Sequence, residues 1–146
     1  MSAGLPAGWR LRAAAACALL PPLLGVMSLE RIARVAGRLP AGGPRPPDPA
    51  APDDAALAAY VNELLWRLPN PWRNTCLRRS VVLFHLLRRR GRPVALRIGV
   101  RRDAARGGAL EAHAWLVRDG VPYLEPDPAH AARYTEIATF PGAGAG

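Results

Sequence analysis

Helical periodicity in the first two thirds of this sequence and strand alternation in the last third predict an α+β fold. Helices come first, followed by an antiparallel sheet on which one of them packs. Three observations predict it. Residues 74–91 carry Cys76, Leu77, Ser80, Val81, Leu83, Phe84 and Leu87 at helical spacing. Val94, Leu96, Ile98 and Val100 alternate with Ala95, Arg97, Gly99 and Arg101, as in a half-buried strand. Asp119-Gly120 is a hairpin signal between two further strand-like runs.

At 146 residues the chain can build one domain with a real core, too short for two ordinary ones. Residues 11–27 are apolar and follow Arg10. Pro21-Pro22 interrupts the run, no small-x-small cleavage site follows, and the run is short for a bilayer. Two helices are expected, over 12–20 and 23–36, hinged at the prolines. They either pack on the domain or rest on a membrane surface. Residues 1–37 thus form an apolar N-terminal segment. Residues 38–53 hold six prolines and read as a semi-extended linker.

The main domain is expected over 54–140. Asp53 or Asp54 caps a helix running to about residue 68, with Leu57, Tyr60, Val61, Leu64, Leu65 and Leu68 on one face. Pro69-Asn70-Pro71-Trp72 breaks it, and Trp66 and Trp72 are expected to pack near that turn. Asn74 or Thr75 then caps the next helix, and Gly91 and Pro93 end it. Strands are predicted at 94–101, 112–118 and 121–125, with a polar loop over 102–110 and an edge strand at 135–140. The tail, 141–146, reads as disordered.

Charge contributes little. The formal net charge is +9, but every basic residue is arginine in a chain rich in Ala, Gly and Pro, which points to coding bias. No aromatic residues interleave with the arginines as on a nucleic-acid-binding face, so no nucleic-acid partner is expected. With only Cys17 and Cys76, a disulfide is possible on counting alone. Nothing else suggests a secreted scaffold, and a cytoplasmic setting is the reading, with membrane-surface contact left open.

Cys76 lies in the first turn of its helix. The helix dipole and unpaired backbone N–H groups there favour thiolate. A buried, inert cysteine is the plain alternative. Three histidines compete as its base. His85 follows nine residues later and, at about 100° per residue, projects to the other side of the helix. His130 reads as a polar-turn residue. His113 opens a strand between small neighbours and shares a face with Trp115 and Val117. If that face meets the helix N-terminus, a thiol–imidazole pair forms.

The base needs an orienting acid. A two-residue turn at Asp119-Gly120 pairs Arg118 with Val121 and puts Glu125 opposite Ala114, on the wrong face. A three-residue loop instead brings Glu125 across from Trp115 and Asp127 across from His113. Asp119 is a turn residue. Glu125 and Asp127 both stay open on this reading.

Thr75-Cys76-Leu77-x-Arg79-Ser80, Leu86-Leu87-Arg88-Arg89-x-Gly91, Leu96-Arg97-Ile98-Gly99-Val100-Arg101, Ala112-His113-Ala114-Trp115 and Asp119-Gly120 resemble the transglutaminase-like cysteine proteases of lasso-peptide biosynthesis. The resemblance spans about residues 55–140. It implies a papain-like core in which Cys76 is nucleophile, His113 base and Glu125 the acid, within Tyr123-Leu124-Glu125-Pro126. Many relatives carry Asp in this region, which keeps Asp127 as the alternative. It further implies a leader peptidase acting on a precursor peptide, with a separate winged-helix recognition protein and a macrolactam-forming cyclase as partners. No cofactor or metal is implied. Acyl transfer to an amine on the same residues, and a non-catalytic basic domain binding nucleic acid or anionic membrane, are the alternatives.

Overall fold

The computed structural model describes residues 4–36, 52–69 and 75–140. The linker over 38–51, the turn residues 70–74 and the tail lie outside the described residues. The elements run α1 (Ala7–Leu23), α2 (Leu29–Ala36), α3 (Asp54–Arg67), α4 (Cys76–Arg89), β1 (Val94–Asp103), β2 (Ala109–Arg118), β3 (Val121–Tyr123), α5 (Pro128–Ala131) and β4 (Thr135–Phe140). The four strands form one antiparallel sheet in the order β3-β2-β1-β4. The fold is α+β, as the sequence predicts.

The hinge expected at Pro21-Pro22 is absent. Both prolines lie in the last turn of α1, which starts earlier, at Ala7 after Pro6. Proline removes an N–H and so breaks helix bonds locally. Each proline forfeits its own bond to the residue four before it, but the helix ends one residue after Pro22, so no further turn has to follow them. Trp9, Ala13, Ala16 and Cys17 of α1 are buried in one core with Leu57, Val61 and Leu65 of α3 and Val81 to Phe84 of α4. No helix of the described residues is long and apolar enough to cross a membrane.

Helix α4 is marked at both ends. The Thr75 hydroxyl accepts from the Arg78 amide at 3.3 Å. At the other end Gly91 takes φ 81°, Gly91 N donates to Arg88 O at 2.9 Å, and Arg92 N donates to Leu87 O at 3.0 Å. These are the two bonds of a Schellman turn. Nearby, Asp54 is buried between Arg90 (2.8 Å) and Arg92 (3.3 Å) and accepts from the Tyr123 hydroxyl, tying α3, α4 and β3 together.

Strands β1 and β2 pair over ten residues each, from Val94↔Arg118 to Asp103↔Ala109. They extend well into the region expected as loop, because the turn is confined to a short 3-10 segment, Ala104–Arg106, and two left-handed glycines, Gly107 and Gly108. Leu96, Ala114 and Leu116 face α4 and belong to the main core; Trp115 and Val117 face the other way, onto Ala131 and Tyr134. Trp66, expected to pack near the turn after α3, is 61% exposed.

Candidate active site

The hairpin between β2 and β3 is the tight one. Arg118 pairs with Val121, and Asp119 and Gly120 both have positive φ, 54° and 77°. That is the two-residue turn favoured by strand twist. The three-residue loop is therefore not what the chain uses. Hydrogen-bonding positions then alternate from the turn: Arg118 and Leu116 point their N–H and C=O at β3, while Val117 does not. Pro122 pairs with Val117 and so loses nothing by lacking an N–H.

By this alternation Ala114 also points its polar groups toward β3. But β3 ends at Tyr123, opposite Leu116. Helix α4 occupies the open edge instead. Ser80 Oγ donates to Ala114 O at 3.0 Å, and the Cys76 sulfur lies in hydrogen-bond reach of the Ala114 and Leu77 amides. The thiol thus reaches the strand at its edge. The sheet face that carries His113, Trp115 and Val117 does not pack on α4, contrary to the condition set for the pair, yet Cys76 lies within hydrogen-bond reach of the His113 ring around that edge.

Glu125 gets to His113 by leaving the sheet. Leu124 has φ 56°, a left-handed conformation that costs a branched residue about 1–2 kcal/mol. It turns the chain away from the register in which Glu125 would oppose Ala114. Glu125 Oε1 then lies 3.3 Å from His113 Nε2, with the two side chains 11% and 6% exposed. Because Nε2 faces the carboxylate, the other ring nitrogen, Nδ1, is the one left for the thiol. Asp127 is exposed at the start of α5 and is not the carboxylate on His113.

The electrostatics follow from these contacts. Burial pushes the Cys76 thiol up, but the His113 hydrogen bond, the Ala114 amide, the ring's positive charge and the Leu77 amide together bring it below its ordinary value. The His113 ring is raised to about 9, first by its bond to Cys76 and then by Glu125, against the opposing effect of burial. At neutral pH a ring raised to about 9 keeps its proton, and the lowered thiol gives up its own more readily than a free cysteine does. Such a pair is a ready nucleophile with its acid attached. Cys17 behaves oppositely: it is free, fully buried in the core and pushed up to about 12 by burial alone.

Several contributors were not legible in sequence. His130 is not a mere turn residue. It packs edge-on to the His113 ring at 5.0 Å between centroids and lies 3.3 Å from the Tyr134 hydroxyl. Trp115 stacks on His113 at 5.5 Å and Tyr134 lies at 5.2 Å. The i,i+4 spacing of His130 and Tyr134 was the one available signal. Gly99, directly opposite His113, makes this aromatic nest possible: a Cβ there would stand 2.8 Å from both the Trp115 ring and Tyr134 Cβ. His85 is elsewhere, in the groove between α1 and α4 with Trp9, Arg12 and Leu19. Among the described residues no group of three or more His, Cys, Asp or Glu is placed to hold a metal ion.

Residues 12–139 match the family model described as the transglutaminase-like superfamily. Neither the curated proteins nor the solved structures yield a match.

Proposed function

Because this chain belongs to the transglutaminase-like superfamily, we propose that it is a cysteine peptidase that removes the leader from a ribosomally made precursor during lasso-peptide maturation. One observation carries the reading: a thiol at a helix N-terminus lies within reach of an imidazole that is itself on a buried carboxylate. The motifs around these residues suggest the substrate class.

In this reading the Cys76 thiolate attacks the scissile carbonyl carbon. A C–S bond forms and the carbonyl electron pair moves to oxygen. When the tetrahedral species collapses, the C–N bond breaks and the leaving amine takes the proton from the His113 imidazolium. Water then attacks the thioester. His113 accepts its proton, the leader leaves as a carboxylic acid, and the thiolate returns. Glu125 holds the ring's orientation and its positive charge throughout. A separate winged-helix protein brings the leader, and a cyclase takes the freed core peptide.

The test is cleavage of a precursor peptide by the purified chain with its winged-helix partner, followed by mass spectrometry. Leader release that disappears in Cys76→Ala supports the reading. Product in which an added amine, rather than water, ends the leader shifts it to acyl transfer. Unchanged cleavage by Cys76→Ala sinks it.

A further inference from the structure

Glu125 belongs to a chain segment whose own strand would carry it to the wrong place. Continued in register, β3 would set residue 125 opposite Ala114, with its side chain on the face away from His113. The departure happens at one residue, Leu124, whose positive φ is unusual for a branched side chain and persists only where the surroundings impose it. The contact that holds it comes from α4. Arg79 Nη2 donates a 2.8 Å hydrogen bond to Leu124 O, across 45 residues of sequence. Its positive charge also acts on Glu125 directly. Arg79 is half-buried and lies three residues after Cys76, one helical turn along.

We propose that Arg79 is a positioning residue: its guanidinium fixes the Leu124 turn and so delivers Glu125 to His113. This rests on the peptidase reading for its consequence in catalysis, though not for its geometry. The acid is thereby referenced to the nucleophile's own helix rather than to the short strand that precedes it. A movement of α4 carries the sulfur and the clamp together. A guanidinium suits the task, since it stays charged when buried and bonds a carbonyl while its charge faces a carboxylate. Nothing in this role requires Arg79 to touch substrate.

The experiment follows alkylation of Cys76 by iodoacetamide across pH, which reads the thiol–imidazole pair without any peptide substrate. Wild type, Arg79→Ala, Glu125→Gln and the double variant are compared on the full chain, with thermal unfolding alongside; Cys17 is replaced by Ala throughout. Arg79→Ala should displace the pH profile in the same direction as Glu125→Gln, and the double variant should superimpose on Glu125→Gln. Precursor cleavage by Arg79→Ala should fall by about 10- to 100-fold, as expected when a supporting contact behind a reacting group is lost. A wild-type profile in Arg79→Ala, or displacements that simply add in the double variant, overturns the proposal. Lost cleavage with an unmoved profile does so too, because it would place Arg79 on the substrate. Should Arg79→Ala not fold, Arg79→Gln, which keeps a neutral donor, is read by the same criteria. If wild type leaves precursors intact while the profiles behave as described, the positioning role stands and the peptidase reading fails.

Discussion

Ser80 Oγ donates to the backbone carbonyl of Ala114, 34 residues away, at a strand edge that β3 is too short to cover. The serine is 1% exposed. It substitutes for a strand partner, and it sets the height of α4 along β2, hence where Cys76 meets His113.

Removing that hydroxyl should be costly. Ser80→Ala strands a buried carbonyl, which costs about 1–3 kcal/mol. Urea unfolding should show a lower midpoint with an unchanged slope, and Cys76 alkylation at neutral pH should slow. A variant with wild-type stability would mean that water reaches Ala114 without loss.

The two carboxylates near the site should separate cleanly. Glu125→Gln removes the charge on His113 Nε2, and precursor cleavage should drop by about 100-fold or more. Asp127→Ala should stay within a few-fold of wild type, about the effect of an exposed residue off the site. Cys76→Ala and His113→Ala should each abolish cleavage while leaving the circular dichroism spectrum of the folded chain. If Asp127→Ala alone is inactive, the orienting acid has been misassigned.

The pH dependence has a determined sign on each side. Falling pH protonates the Cys76 thiolate, and the rate declines only below the ordinary thiol range because that group is lowered. Rising pH strips the His113 imidazolium near about 9, and the leaving amine loses its proton donor. The cleavage rate should be bell-shaped with its alkaline limb near that value. In Cys76→Ala the largest cause of the raised value is gone, so the His113 ring, followed by NMR, should titrate closer to the ordinary imidazole range.

Gly99 tests the aromatic nest. A methyl group 2.8 Å from Trp115 Cη2 and Tyr134 Cβ forces one of them to move. Gly99→Ala should destabilise the chain by about 1–3 kcal/mol, the usual range for overpacking. It should also broaden the His113 ring resonances. Full stability together with a wild-type alkylation profile would show that the nest is not needed to hold the ring.

The α+β class, the caps of α4, the exclusion of His85 and the turn at Asp119-Gly120 were all written in the sequence. Each depends on neighbours within a few residues: a period, a cap, a pair of residues that tolerate positive φ. What the sequence left open was where β3 stops and how Glu125 crosses to His113. Strand parity allows two registers, and only the longer loop puts Glu125 on the His113 face by alternation alone. The folded chain keeps the tight turn and corrects the parity afterwards, at Leu124. Local preference disfavours that conformation for leucine, so no local rule foretells it. It occurs where a distant helix meets the end of the strand: Arg79 bonds Leu124 O, and Ser80 and Cys76 meet Ala114. Residues near in sequence determined the elements, and only contacts spanning 34 to 45 residues decided which side chains meet.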